Sequence, residues 1–177
     1  MDDAKPKFQP NLVTVFSDAS FHPPYAGYAW WFRWRGPSVK GGGGAYTQDI
    51  CEAELKGLLE GIRAAHAHLA GAQVDGWVIQ CDNTQALGMF LNLPNAAVTK
   101  ASSALITRVK KIRPVRETMI REIATMIPTT KIWLKHVKAH TGINDARSAV
   151  NEDTDRRAAE EREKFKKQCG GLPPRRP

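Results

Sequence analysis

Three short runs constrain this chain more than anything else in it: NLVTVFSD at 11–18, GWVIQCD at 76–82 and TKIWLKHV at 130–137. Each is apolar and rich in β-branched or aromatic residues, the pattern of a strand covered by other parts of the chain. Two of them end in an acid, at Asp18 and Asp82. Between the first and the second, Leu55, Leu58, Leu59 and Ile62 recur at helical spacing, Ala64, Ala65 and Ala67 extend the pattern, and Gly71 closes it. Buried strands separated by helices predict a sheet with parallel crossovers.

The other elements fit around that frame. After the turn-like SFHPPYAG comes a strand-prone YAWWFRW, ended by Gly36 and Pro37, and a further extended piece from about Val39 to Thr47. Gly41 to Gly44 lie inside that piece; no Gly-Lys-Ser/Thr follows them, so they predict a hairpin edge or bulge and not a phosphate loop. NTQALGMFL reads as a short helix broken by Pro94. Residues 99–113 read as a helix with Leu105, Ile106, Val109 and Ile112 on one stripe. Pro114 opens another, carrying Met119, Ile120, Ile123 and Ile127, and Pro128 stops it. After the loop KAHTGINDARSA, a charged helix is expected from about Val150 to Gln168, closed by Gly170 and Gly171. The expected organisation is a flexible arm over 1–10, one domain over 11–169 and a flexible basic tail over 170–177.

Composition excludes several classes. A chain of 177 residues with 42% apolar and 25% charged side chains is neither disordered nor too short to enclose a core. No apolar run approaches the roughly 18 residues of a membrane span, and the start MDDAKPKF does not have the pattern of a signal peptide. Cys51, Cys81 and Cys169 lack CxxC spacing, which predicts reduced thiols in a cytoplasmic, soluble protein. The net charge of +8 is uneven: residues 1–99 hold seven Lys/Arg and nine Asp/Glu, residues 100–177 nineteen and nine. That polarity predicts a polyanionic partner on one side of the molecule.

If the two strands ending in Asp18 and Asp82 are parallel neighbours, both acids emerge at the carboxyl edge of the sheet, where α/β proteins place their sites. Glu54 lies about one turn into the next helix and Asp155 about one turn into the last. Clustered carboxylates repel one another and are ordinarily kept for hard divalent cations. His136 and His140 stand four apart but have no Cys partners at zinc spacing, so zinc is not expected. His66 and His68 are read as surface or packing residues, and Trp30, Trp31 and Trp34 as sheet packing.

VFSDAS, EAELKGLLEGI, VIQCDN, HVKAHTG and NEDTDRRA, in that order and spacing, resemble the ribonuclease H family, type 1, over about residues 11–168. The resemblance implies an α/β, ribonuclease H-like fold: a mixed five-stranded sheet, three antiparallel strands then parallel crossovers, flanked by helices. It implies a metal-dependent endoribonuclease that hydrolyses the RNA strand of RNA–DNA hybrids with two Mg²⁺ ions, Mn²⁺ being a substitute. No membrane and no obligatory protein partner are implied. Asp18, Glu54, Asp82 and Asp155 become the metal-binding carboxylates, with Glu52 competing with Glu54 and Asp153 with Asp155. His140 becomes the mobile histidine that shuttles a proton.

Asn83 becomes a substrate contact, and Lys100, Arg108, Lys110, Lys111 and Arg113 a basic helical protrusion gripping the hybrid. The sequence departs from the family where Asp49, Ile50, Cys51 and Glu52 replace the Asn or Gln that reads the 2′-hydroxyl, and where FHPPYAG replaces a glycine-rich turn. Those departures keep two other readings open: a DNA or branched-DNA nuclease on the same fold, and a non-catalytic nucleic-acid-binding module.

Overall fold

The computed structural model describes residues 11–93, 97–127, 131–138 and 146–171. The expected arm and most of the expected tail lie outside them. Three strands come first, β1 (Leu12–His22), β2 (Tyr25–Arg33) and β3 (Val39–Tyr46), followed by α1 (Ile50–Leu69) and β4 (Gly76–Cys81). Then come α2 (Thr84–Met89) with a 3-10 turn over Phe90–Asn92, β5 (Ala97–Ala101), α3 (Pro114–Met126), β6 (Lys131–His136) and α4 (Ala146–Gln168).

The strands form one sheet in the order β3-β2-β1-β4-β6-β5. β1, β2 and β3 pair antiparallel, whereas β4 runs parallel to β1, β6 to β4 and β5 to β6. The expected mixed sheet is therefore present as β3-β2-β1-β4-β6, and β5 adds a strand at its outer edge.

α1 forms where the leucine periodicity predicts it. Asp49 caps its start by accepting from the Glu52 backbone N–H at 2.9 Å. Its end needs left-handed backbone, at Ala70 (φ 46°) and then at Gly71 (φ 86°), the second supplied by a residue with no Cβ. Leu55, Leu58 and Ile62 are fully buried against the sheet, each worth roughly 1.5–3 kcal/mol of removal from water.

α4 covers the opposite face, over β1, β2 and β3. It can settle there because the strands offer glycine. A Cβ at Gly27 would stand 2.1 Å from the Ala158 carbonyl oxygen, and one at Gly44 would stand 2.2 Å from the Phe165 Cβ. The Gly41–Gly44 run is thus a regularly paired edge strand, with no bulge, that makes room for a helix.

Three expectations are corrected. Residues 99–113 are not a helix: they begin within β5 and continue as irregular chain to Arg113. The apolar stripe there is real, since Ile106 is buried and Val109 and Ile112 pack on the core, but Leu105 is 70% exposed. β-Branched Ile106, Thr107, Val109 and Ile112 disfavour helix, and the segment instead docks on α2, where a Cβ at Gly88 would lie 2.2 Å from the Thr107 carbonyl. The turn between β1 and β2 is shorter than SFHPPYAG suggests, because Ser20 pairs with Gly27 and Phe21 with Ala26, leaving Pro23 and Pro24 to reverse the chain. Finally, β4 and β6 are buried on one face only: Trp77, Ile79, Cys81, Ile132 and Leu134 face the core, while Val78, Gln80, Trp133 and Lys135 are half-buried on the other.

Candidate functional site

β1 and β4 are adjacent and parallel, with Phe16 opposite Gln80. Two residues further along each strand direction stand Asp18 and Asp82, so both acids leave the same face at the carboxyl edge of the sheet. α1 brings the third acid from the opposite face. The Ala19 backbone N–H donates to both Asp18 Oδ1 and Glu54 Oε1, each at 2.9 Å. Glu54 is 1% exposed and its Oε2 accepts from the Cys81 thiol at 3.4 Å. Ligating atoms of Glu54, Cys81 and Asp82 all lie within 4.8 Å of one another.

Electrostatics follow from that crowding. Burial pushes the Glu54 carboxyl well above the usual range, and the charges of Asp18 and Asp82 push it further, against the hydrogen bonds from Cys81 and Ala19. Burial, and then the Glu54 charge, likewise raise the Cys81 thiol, which keeps it an S–H donor at neutral pH. A buried acid with a raised pKa favours the folded state below the ordinary carboxylate range and loses that contribution as pH rises through its folded value. Glu54→Gln should therefore melt higher than wild type in EDTA at pH 8. The difference should shrink towards zero near pH 4, read as paired melting curves across pH. An unchanged difference over that range would show that Glu54 does not carry the strain.

The competing acids separate by geometry. Glu52 is buried at the start of α1, beside Asp49 and Arg116, whereas Glu54 reaches the ends of β1 and β4. Asp153 is bound to Lys40 of β3 at 2.9 Å and to Arg156 at 2.7 Å, which turns it towards the sheet edge. Asp155 is half-buried on α4, one helical turn from Asn151, and is not among the atoms gathered within 4.8 Å. His140 lies outside the described residues.

Other site residues have local partners. Asn83 caps α2, its Oδ1 accepting from the Ala86 N–H at 2.9 Å. Arg108, Lys110 and Lys111 are exposed on the irregular segment after β5, and Lys100 belongs to β5 itself. Arg113 is held by Gln48 at 2.7 Å and by Asp49 at 3.5 Å. Asp49 also pairs with the buried guanidinium of Arg116 on α3. The Asp at position 49 thus has two structural tasks, capping α1 and neutralising Arg116.

Two participants escape sequence reasoning. Cys81 reads there only as a reduced thiol, although its position next to Asp82 at the end of a buried strand is a signal. His136, a poor zinc ligand by its spacing, places Nε2 3.0 Å from the Asp82 carbonyl oxygen, while its backbone N–H donates to Ser102 Oγ at 2.8 Å. Nothing local in the sequence links residue 136 to residue 82; the β4–β6 register, Cys81 opposite His136, does so.

No protein-family model matches the sequence and no curated protein matches it either. Solved structures do match. LC11-RNase H1, solved in complex with an RNA/DNA hybrid, superposes with a TM-score of 0.62 at 10% identity over 86% of this chain and 98% of that one. The N-terminal RNase H domain of a Mycobacterium tuberculosis protein gives 0.61 at 15% identity over 89% and 98%. RNase H1 from the halophilic archaeon Halobacterium salinarum gives 0.57 at 15% identity over 85% and 96%. Nearly the whole length of each is matched by one sheet and its flanking helices, and on that ground the chain has the ribonuclease H fold.

Proposed function

We propose that the chain is a metal-dependent endonuclease that hydrolyses the RNA strand of RNA–DNA hybrids, with Asp18, Glu54, Asp82 and Asp155 as its metal-binding carboxylates. One observation carries the reading: a single backbone N–H is shared by two carboxylates from different elements, and a third lies against the buried one. Oxygen donors of this kind suit Mg²⁺ or Mn²⁺, and the raised Cys81 thiol leaves the donor set free of thiolate. Divalent ions bound there would supply an activated water and steady the departing 3′ oxygen.

The protein's own groups orient that chemistry. Ala19 N–H fixes Asp18 and Glu54 relative to one another, the Cys81 S–H holds the other Glu54 oxygen, and His136 buttresses the backbone at Asp82. His140 remains the proposed proton shuttle. The hybrid is the proposed substrate because the fold is shared with a protein solved on one, and the basic second half of the chain complements it.

A substrate panel tests the reading: RNA–DNA hybrid, double-stranded RNA, duplex DNA and branched DNA, each with Mg²⁺, Mn²⁺ or EDTA. Cleavage of the hybrid alone, leaving 5′-phosphate ends and abolished by EDTA, is expected. Preferential cleavage of DNA would replace the hybrid reading with the DNA nuclease, and binding without cleavage of any substrate would leave a binding module.

The exposed cations after β5 are proposed to grip the phosphate backbone even though no helix presents them. Changing Arg108, Lys110 and Lys111 together to Ala should weaken hybrid binding and reduce the log–log salt slope by roughly one unit for each phosphate no longer neutralised. The rate at saturating substrate should hold. Unaltered affinity and slope would assign the segment to solvent.

A further inference from the structure

Below the carboxylates, on the same face of the sheet, lies a groove of about 490 Å³ that the nuclease reading does not use. Its origin is in the strand register. α4 packs chiefly on β1, β2 and β3, so among the described residues no helix lies over that face of β4 and β6. On that face the register sets two rows: Arg33, Thr14, Val78 and Trp133 in one, and Trp31, Phe16, Gln80 and Lys135 in the next. Asp18 and Asp82 follow two residues beyond Phe16 and Gln80. The groove is the hollow between these rows and the start of α4, where Asn151 forms part of its wall.

Its lining has a chemistry of its own. Lys135 is half-buried, and Arg33 is anchored at the rim by its Nε donating to the Gly36 carbonyl at 3.2 Å. Among the described residues no acid lines the groove. Gln80 and Asn151 each offer an amide with both donor and acceptor. Trp31 stacks on Phe16, with ring centroids 5.8 Å apart, and its indole N–H is buried with no hydrogen-bond partner among the described residues. A volume in the range of small-ligand pockets, two cations, two amides and an aromatic wall suit one ligand class. A duplex does not fit in such a hollow; a single nucleotide does.

We propose that this groove binds one nucleoside monophosphate unit, its phosphate on Arg33 and Lys135 and its base among Trp31, Gln80 and Asn151. The unit is either the end of a nucleic-acid strand or a free nucleotide. Its wall shares His136 with the carboxylate site, but its occupancy needs neither metal nor turnover, so it is tested separately from the nuclease reading.

Equilibrium dialysis of adenosine 5′-monophosphate against the full chain in EDTA tests it, with adenosine and inorganic phosphate as separate arms. Saturable binding of one nucleotide per chain is expected, with adenosine and phosphate each about tenfold weaker or more. Arg33→Ala combined with Lys135→Ala should weaken the nucleotide at least about tenfold, the effect of removing one charge-assisted hydrogen bond or more. Lys135→Gln serves as the milder variant, and thermal melts confirm that both are folded.

A short single-stranded oligonucleotide that competes places a strand end in the groove; one that does not compete makes the ligand a free nucleotide. No saturable binding, binding indifferent to both variants, or phosphate alone binding as tightly as the nucleotide would overturn the proposal. Because no hydrolysis is read, failure here leaves the nuclease reading untouched, and failure of the nuclease leaves this one standing.

Discussion

Asp18→Asn and Asp82→Asn are each expected to reduce hybrid hydrolysis by about 10³-fold or more, and hybrid binding is expected to stay within a few-fold of wild type. The magnitude reflects the several kcal/mol of charge stabilisation that a correctly held divalent cation provides, at about 1.4 kcal/mol per factor of ten. Binding is expected to survive because Arg108, Lys110 and Lys111, the cations proposed to grip phosphate, lie on a different segment from the carboxylates. Neither substitution disturbs packing, since both positions are only half-buried and Asn is nearly isosteric with Asp. Single-turnover cleavage and a filter or anisotropy binding assay on the same preparations check the two halves together. Turnover near wild type in either variant would remove the metal assignment, and loss of binding in both would move the acids from catalysis to architecture.

Gly27→Val is expected to lower stability by about 3 kcal/mol or more, and the proposed nuclease activity with it. The reason is a backbone-to-backbone approach. A Cβ at residue 27 would lie 2.1 Å from the Ala158 carbonyl oxygen and 2.2 Å from the Arg162 nitrogen, both in the main chain of α4, so no side chain can turn aside. Overpacking of a well-packed site costs about 1–3 kcal/mol when side chains can adjust, and here the helix itself must move. For a chain of 177 residues, that corresponds to a fall in melting temperature of roughly 6–12 °C. Displacing α4 also displaces Asp155 and the bond from Arg162 Nη1 to Ser20 Oγ, 2.8 Å long, that ties the helix to the end of β1. A melting curve, with limited proteolysis of α4, reads the effect. A variant that melts like wild type would mean that α4 is not seated on that glycine.

Much of the fold is legible because its cues are local. β1, β4 and β6 announce themselves by short β-branched or aromatic runs, α1 by leucines at helical spacing, and the ends of α1 and α4 by Gly71, Gly170 and Gly171, all of which adopt positive φ. The segment 99–113 misleads for the complementary reason. An apolar residue every three or four positions marks one face of a helix, but Ile106 and Val109 satisfy it equally well by reaching down from irregular chain onto α2. Periodicity records which side chains are buried, and the backbone that buries them is chosen by what they pack against.

At the site the division is similar. Acids at the ends of buried strands are visible in sequence, because an Asp directly after an apolar run stands out by residue type and position. By itself the sequence determined the strand and helix order outside β5 and the segment that follows it, the placing of Asp18 and Asp82 and the uneven charge. All of these follow from residue type and short-range spacing. Only the tertiary structure decided that Glu54 rather than Glu52 shares the Ala19 N–H, that Asp153 is bound to Lys40, that Cys81 and His136 belong to the site, and that among the described residues no helix lies over one face of β4 and β6. Each of these depends on strand register or helix docking between residues 27 to 113 positions apart along the chain, and a contact at that separation is set by how the elements pack and leaves no trace in the local sequence.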